Sequence, residues 1–415
     1  MNTKTIFRGS LIAALISGAS VAGAADVQWL NAASHDLSAA SQLLDSASAP
    51  LAATANRNRE LVEFQWALAA DAEIASSDPG SHNESRQYWL DVSAADLNRG
   101  VAVYTTSRNA LLRISPLQAN ADTTLELSAL QLQQNGRLLS NDSSVNSFVT
   151  SQQLNAAGAP FAEGTIAFRL NRTVAPGALN LAIANGAQPD ARYVIHVFEP
   201  DSAVAANLHL AKGNVLSGAA IDIALNVSRA QGSVRGFLIS PDGKTSLPLQ
   251  FRTQGDAYVA SVNAPAAQGT GLWEVQTFFD GASEGQRVLR DVKTAVNITA
   301  PTARLSQQAS LRDDGGRSDA LALDVGVEVA ADGRYQLSGV LYGTAKDGSQ
   351  QPIAMAQSAQ WLNAGNHSLP LTFTIRNGEF SRTTAGAPYE IRDLRLLDQS
   401  RMGVLHRQER ALSIQ

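Results

Sequence analysis

Residues 321–342 constrain the fold of this chain more than any other segment. From 321 to 329 apolar residues alternate with polar or small ones. Successive side chains of a strand point to opposite faces, so this alternation predicts a strand with one face on a hydrophobic core. Asp332-Gly333 follows as a predicted tight turn, because glycine accepts the positive φ that such turns require. Alternation resumes from Tyr335, and the whole segment therefore predicts a β-hairpin.

Similar alternating segments recur along most of the chain. They are about ten residues apart, turn residues separate them and no helical pattern intervenes, which is typical of antiparallel β-sandwiches. Short polar segments with proline at 199–202 and 299–302 indicate boundaries. We therefore predict an all-β protein of three tandem immunoglobulin-like β-sandwich domains, at residues 82–201, 202–300 and 301–415. Because no residue-level repeat of fixed period is present, a solenoid or propeller is disfavoured.

Residues 26–81 differ from the rest, being rich in Ala, Ser, Asn and Asp. Asp36 is a candidate helix cap, and a second helix is predicted over residues 58–70, with Phe64 on its apolar face. Trp66 falls off that face. We expect a variable, partly helical N-terminal segment that packs against the first sandwich.

The first 25 residues predict export. Lys4 and Arg8 form a basic start, an apolar run follows, and small residues at 22–25 fit signal-peptide cleavage. The run is too short to cross a hydrocarbon core of roughly 30 Å, and no later segment is apolar enough, so we expect no transmembrane segment. With no cysteine in the chain, disulfides and a lipid-modified cysteine are both excluded. The expected location is the periplasm or the extracellular space.

Composition argues against several classes of partner. The chain has a formal net charge of −5 and no basic run, so nucleic acid and anionic membrane surfaces are disfavoured. Aromatic residues make up 6% of the chain, which is low for a protein lined with sugar-stacking rings.

The residues of common catalytic sites do not form a convincing pattern. No histidine pair has the His-x-x-x-His spacing of a zinc helix, and no Gly-x-Ser-x-Gly pentapeptide is present. We therefore predict no catalytic, cofactor-binding or metal site and no cofactor. The six histidines are scattered: His35, His82, His196, His209, His367 and His406.

Two weaker hypotheses concern carboxylates. Glu274, beside Trp273, would be the acid of a glycosidase pair, with Asp291 as base or nucleophile and Asp280 nearby. A core tryptophan flanked by outward carboxylates explains the same residues by alternation alone, and we favour that interpretation. The segment 313–319 would be a calcium loop, but it lacks the Asp-x-Asp-x-Asp-Gly pattern, which favours a surface turn.

Several local signatures together resemble a known family. The chain is similar, over roughly residues 80–410, to secreted proteins of Gram-negative bacteria described only as a domain of unknown function. The resemblance implies a string of immunoglobulin-like β-sandwiches and brings no known catalytic residue. The signatures are residues 88–92 with Leu97 and Gly100, then 333–335, 340–343, 361–362 and 388–394.

These observations predict a non-enzymatic binding, interaction or spacer protein of the cell envelope. Its partner would be an envelope or extracellular protein that meets exposed loops or edge strands. The alternative is a polysaccharide-binding accessory protein, which requires exposed aromatic rings, with Trp89, Trp273 and Trp361 as candidates. A hydrolase is the third and least supported hypothesis.

Overall fold

The structure is a computed structural model and describes residues 26–38, 40–51, 55, 57–74, 80–118, 125–184, 191–267, 271–313, 319–375 and 385–415. The predicted signal peptide and most of the hypothetical calcium loop lie outside the described residues. The described residues form 28 strands, three short α-helices and one 3-10 turn. The predicted all-β fold class is therefore confirmed.

The N-terminal part of the chain supplies three strands that join sheets formed mostly by later residues. They are β1 (Val27–Trp29), β2 (Val62–Ala67) and β3 (Ser81–Ser85).

The first sandwich surrounds one hydrophobic cluster between a five-stranded and a four-stranded sheet. Its elements are β4 (Gln87–Ser93), α1 (Ala94–Arg99), β5 (Val101–Thr105), β6 (Leu111–Pro116), the 3-10 turn (Leu127–Ala129), β7 (Leu130–Gln134), β8 (Arg137–Leu139), α2 (Asn141–Ser144), β9 (Val145–Thr150), α3 (Ser151–Ala156), β10 (Ile166–Leu170), β11 (Gly177–Ile183) and β12 (Arg192–Phe198). The sheet orders are β4-β12-β6-β10-β9 and β5-β11-β7-β8.

The second sandwich encloses another cluster, in which Trp273 is only 1% exposed. Its strands are β13 (Ala206–Leu210), β14 (Asn214–Leu216), β15 (Ala220–Val227), β16 (Gln231–Ile239), β17 (Ser246–Leu249), β18 (Arg252–Gln254), β19 (Ala257–Asn263), β20 (Trp273–Ser283) and β21 (Gln286–Thr299). They form the sheets β18-β19-β15-β13-β3 and β14-β21-β20-β16-β17. The β14–β21 pair is parallel.

The third sandwich packs a six-stranded sheet on a three-stranded one. Its strands are β22 (Ala303–Leu311), β23 (Ala320–Val329), β24 (Gly333–Thr344), β25 (Gln350–Leu362), β26 (Gly365–Thr374), β27 (Gly386–Asp398) and β28 (Gly403–Ile414). The sheet orders are β1-β28-β27-β24-β25-β2 and β22-β23-β26.

The hairpin predicted at 321–342 is wrong, although both of its strands exist. Strand β23 pairs with β22 and β26, whereas β24 pairs with β25 and β27 in the opposite sheet. Gly333 is not among the residues with positive φ, and the Asp332 carboxylate accepts a hydrogen bond from Ala364 N at 2.9 Å. The chain thus crosses from one sheet to the other. Alternation does not distinguish a hairpin within one sheet from a crossing between two sheets, because both arrangements bury the same apolar face.

The two predicted helices of residues 26–81 are wrong as well. The described part of this segment contains no helix, and strand β2 lies where the second helix was predicted. Around Asp36 the chain turns, and Leu37 forms an isolated bridge with Arg407. Val62, Phe64 and Trp66 alternate with polar residues, and this period of two overrides the weak helical stripe.

The predicted packing of this segment on the first sandwich is also wrong. Strands β1 and β2 lie at the two edges of the six-stranded sheet of the third sandwich. Between them, Leu44 N donates to Pro301 O at 2.8 Å, and Ser46 Oγ accepts from Asp332 N at 3.0 Å. We call residues 26–67 the N-terminal arm. The edge strands of the third sandwich have backbone N–H and C=O groups without partners in the sheet. The N-terminal arm supplies those hydrogen-bond partners.

Candidate functional site

Strand β2 exposes two large aromatic side chains, Phe64 and Trp66. Phe64 is 57% exposed and Trp66 is 43% exposed, and Leu61, just before the strand, is 44% exposed. We call these three residues the edge patch. Phe64 and Trp66 are two positions apart, so both rings stand on the outer face of the sheet. Large aromatic side chains left in water at a sheet edge are typical of surfaces that contact a partner.

The backbone of β2 presents a free edge. Within the described residues its only strand partner is β25. Leu68 N donates to Ile353 O at 2.9 Å, and the register places Leu68 and Ile353 directly opposite. Hydrogen-bonded pairs alternate in an antiparallel ladder, so the N–H and C=O groups of Glu63, Gln65 and Ala67 point away from β25. They are the groups that an added strand would bond.

Inward side chains of β2 attach the strand to the facing sheet. Gln65 Nε2 donates to Thr374 Oγ1 at 2.6 Å, and Gln65 Oε1 accepts from Thr374 N at 2.8 Å. Thr372 Oγ1 donates to Glu63 Oε2 at 3.2 Å. The two edge strands β2 and β26 are thereby linked by side chains, which holds the outward rings in position.

A buried arginine fixes the approach to the strand. Arg334 is 5% exposed, and it donates to Asn58 O at 2.8 Å, Glu60 O at 2.9 Å and Ala359 O at 3.2 Å. Beside it, the Arg59 guanidinium carbon lies 5.6 Å from the centre of the Trp361 ring, a cation–π distance. The start of β2 is therefore as well anchored as its middle.

The side chains of β25 opposite the two rings of the edge patch are uncharged. Gln357 lies opposite Phe64, and Met355 lies opposite Trp66, both half-buried. Gln336 Nε2 donates to Gln357 Oε1 at 3.3 Å. On β25 the two outward rings therefore border an amide and a thioether rather than charges.

The carboxylates of the glycosidase hypothesis are not brought together. Asp291 lies opposite Phe278, four residues along β20 from Glu274, a separation of about 13 Å. Glu274 pairs with Lys293 at 2.9 Å, and Asp280 binds Arg287 with both oxygens. Asp291 is buried and accepts a hydrogen bond from Trp89 N at 2.7 Å. Each carboxylate thus has its own structural partner, and Glu274 and Asp291 are too far apart for the pair of about 5 Å that a retaining glycosidase needs.

The three tryptophans proposed as sugar platforms occupy other environments. Trp273 is in the core of the second sandwich. Trp89 is half-buried and stacks on His196, with ring centres 5.1 Å apart. Trp361 is half-buried under Arg59. Trp66, which the helical interpretation set aside, is the most exposed tryptophan in the described part of the chain, and alternation with Val62 and Phe64 was the signal that identified its position.

Histidines do not form a metal site in the described ranges. No group of three or more His, Cys, Asp or Glu side chains there is arranged to hold a metal ion. His196 Nε2 lies 2.7 Å from Gln87 Oε1, and burial, with a contribution from Arg113, lowers the pKa of His196 to about 4. His406 is 7% exposed, and burial lowers its pKa too. Both are therefore neutral at pH 7. Among the helices that the structure describes, none has the length and hydropathy needed to cross a membrane.

Comparisons with known proteins agree with the fold. A structure of a DUF4785 family protein from Legionella pneumophila matches with a TM-score of 0.66 and 20% identity, covering 85% of this chain and 93% of that one. A Salmonella alpha-2-macroglobulin variant matches 90% of this chain and 24% of its own at 12% identity, but its TM-score of 0.18 supports no argument. The curated proteins contain no match.

Two family models match the sequence itself. The N-terminal domain of the domain of unknown function DUF4785 matches residues 53–199, and the C-terminal domain of the same family matches residues 302–415. Together the two models span the first and third sandwiches and part of the N-terminal arm. The chain therefore belongs to the DUF4785 family, whose function is unknown.

Proposed function

We propose that this chain is an exported, non-enzymatic binding protein of the cell envelope, which captures an extended segment of a partner protein along strand β2. The observation that carries the proposal is the coincidence of a free strand edge with two exposed aromatic rings on the same six residues. Export rests on the basic and apolar pattern of residues 1–25.

Strand addition fits the chemistry of this edge. The outward N–H and C=O groups at positions 63, 65 and 67 supply up to six backbone hydrogen bonds, which give affinity without sequence preference. Phe64 and Trp66 then contact alternate side chains of the added strand, and aromatic residues carry much of the binding energy at protein interfaces. The expected partner segment is extended and apolar on one face.

The first test is a site-specific crosslink. A photoreactive amino acid is placed at Gln65, whose backbone faces the free edge, and the mature protein is irradiated with its own envelope fraction. The captured protein is then purified, and its affinity is measured by titration calorimetry. We expect the double change Phe64→Ala and Trp66→Ala to weaken that affinity at least about tenfold, the loss of one to two aromatic anchors.

Leu138 provides the matched control. It is 63% exposed on β8, an edge strand of the first sandwich, so Leu138→Ala removes a similar exposed apolar group from a different edge. Equal binding by the wild type and the double variant, or equal loss in Leu138→Ala, would reject strand β2 as the binding edge.

Polysaccharide binding is the second candidate, and Trp66 is the observation that favours it. An exposed indole ring is a surface on which a sugar ring can stack, and Gln357, opposite the neighbouring Phe64, offers an amide for hydrogen bonds. A panel of purified polysaccharides distinguishes the two candidates, because saturable binding that Trp66→Ala alone abolishes, with no crosslinked protein, assigns the edge patch to a glycan.

A further inference from the structure

The middle of the outer face of the five-stranded sheet in the first sandwich carries two arginines, whereas the acid on this face, Asp91 of the edge strand β4, pairs with Arg192 at 2.7 Å. Arg113 on β6, Arg169 on β10 and His196 on β12 share this face, because their strand neighbours such as Leu112 point into the core. The register places His196 directly opposite Arg113, and Arg169 lies diagonally across the β6–β10 pair. Two arginines and the neutral imidazole of His196 are thus neighbours on one surface of a chain that is acidic overall.

Neither arginine has a counter-charge in the described ranges. No ion pair or hydrogen bond joins Arg113 or Arg169 to another described residue, and Arg113 Nε is buried without an acceptor. Burial lowers the pKa of Arg113, and no carboxylate offsets that effect. By contrast, the buried Arg290 lies 2.8 Å from Glu199. Arg113 is half-buried, and its shielded Nε has no acceptor, an arrangement that an oxyanion from outside would satisfy.

Two hydroxyl groups on the same face are also unsatisfied. Ser115 Oγ and Thr165 Oγ1 are buried and have no hydrogen-bond partner, and Thr165 is only 1% exposed. Ser115 lies two positions from Arg113 on β6. The pairing of Ile166 with Ile114, continued by one residue, places Thr165 opposite Ser115. Guanidinium and hydroxyl groups both donate, so the ligand that would satisfy all of them is a group rich in acceptors.

An aromatic ring covers the arginine without blocking its donors. The Arg113 guanidinium carbon lies 4.6 Å from the centre of the Phe161 ring, which comes from the segment between α3 and β10. Stacking of this kind occupies the face of the guanidinium plane, whereas its N–H groups point outward within the plane. The two terminal nitrogens of Arg113, unlike its buried Nε, are therefore available for bidentate hydrogen bonds.

We propose that this face binds an oxyanionic group, a carboxylate, sulfate or phosphate, carried by a small ligand. Arg113 is the bidentate anchor, the hydroxyls of Ser115 and Thr165 donate to the same group, and Arg169 adds positive charge. This site lies on a different sandwich from the edge patch and takes a different chemical class of ligand. It stands whether or not strand β2 binds a protein.

Titration calorimetry of the full mature chain with sodium phosphate, sulfate and acetate at low ionic strength tests the site. We expect saturable binding of at least one anion, and Arg113→Gln should weaken it at least about tenfold, the value of a hydrogen bond to a charged group. Thr165→Val, which keeps the shape of the side chain, should weaken it several-fold. The anion that binds most tightly identifies the group that the natural ligand carries.

Arg235 is the matched control. Its guanidinium carbon also lies over a phenylalanine ring, 5.8 Å from the centre of Phe278, but the side chain is exposed on the second sandwich. Arg235→Gln should change anion affinity less than about twofold, since exposed charges are screened. Absence of saturable heat for all three anions overturns the proposal, and so does an equal loss in the Arg113 and Arg235 variants.

Thermal unfolding gives a second readout, which does not depend on the heat of binding that calorimetry measures. Arg113→Gln removes a half-buried charge that has no carboxylate partner, so this variant should melt at nearly the same temperature as the wild type without anion. Added anion should raise the melting temperature of the wild type only, by mass action. A shift of the same size in both proteins also counts against the site.

Discussion

At the scale of single residues, Asp291 shows how tertiary contacts change the pKa of a carboxyl group, a change that the sequence alone does not indicate. It lies on β21, where the second sandwich meets the first, and it is 4% exposed. Its Oδ2 accepts from Trp89 N, and Ser85 Oγ donates to its backbone oxygen at 2.6 Å. Burial raises the pKa of Asp291 to about 7, although the Trp89 N–H and the charges of Arg235 and Arg290 act in the opposite direction.

This shift predicts a stability that falls as pH rises. Between the ordinary value of 3.8 and about 7, the folded chain holds a proton on Asp291 that the unfolded chain has released. The stabilisation is therefore complete below pH 4 and is lost progressively up to pH 7, by at most about 1.4 kcal/mol per pH unit. Asp291→Asn should remove this part of the slope, which urea unfolding at pH 5, 6, 7 and 8 will measure.

Asp280 gives the control for that experiment. Its pKa is lowered, mainly by hydrogen bonds from Arg287, so it stays ionised over the whole range from pH 5 to 8. Asp280→Asn should leave the slope of the wild type unchanged. A wild-type slope that persists in Asp291→Asn would show that the carboxyl group is not protonated in the folded chain.

At the scale of secondary-structure elements, β2 is the element that decides the candidate site. Its residues fit a helical pattern weakly and an alternating pattern strongly. Pairing with the free edge of β25 stabilises the strand over the helix. Only one residue of the six is less than about a third exposed, so burial contributes little to holding the strand. Backbone pairing, Gln65 and Arg334 hold it instead.

We predict that Arg334→Met loosens β2 selectively. The change leaves the carbonyls of Asn58, Glu60 and Ala359 without the guanidinium, at a cost of about 1–3 kcal/mol for the buried acceptors. Amide hydrogen exchange at residues 62–68 should become about tenfold faster or more, whereas exchange in β20 and β21 should not change. Unchanged protection at 62–68 would mean that pairing with β25 alone holds the strand.

At the scale of the whole molecule, residues near the N-terminus pair with the last sandwich of the chain. The N-terminal arm lies on the third sandwich, β3 joins a sheet of the second, and only then does the chain form the first sandwich. The segment 199–202, which looks like a linker in sequence, forms a junction in which Glu199 and Ser202 are buried while Pro200 and Asp201 are exposed. Glu199 is fully buried, and Thr106 N and Ser107 N donate to its carboxylate, as Arg290 does.

Breaking this junction should destabilise the molecule strongly. Glu199→Gln leaves the buried Arg290 without a counter-charge, and removal of one partner from a buried ion pair costs about 3–5 kcal/mol. The exposed pair of Glu274 and Lys293, at 37% and 51% exposure, provides the comparison. Glu274→Gln should cost no more than about 1 kcal/mol in the same urea titration. Similar losses in the two variants would contradict the structural role of Glu199.

The amino-acid sequence by itself determined the fold class and most of the strands, because alternation specifies which residues face a core. Examples are Val325 and Val327 on β23 and Tyr335 on β24, all 1% exposed or less, as predicted. The residues of the N-terminal arm were misassigned where the pattern was short and the partner strand lay far away in the chain.

Only the tertiary structure decided which sheet each strand joins and which side chains meet. The apolar face of β24 is the same in a hairpin and in a crossing between sheets, so alternation contains no information about its partner. The pair of Glu199 with Arg290 and the site around Arg113 likewise join residues up to 91 positions apart in the chain. Such contacts depend on the energies of burying charge and of satisfying hydrogen bonds. Both energies are set by residues that are distant in sequence, so a local sequence pattern does not predict them.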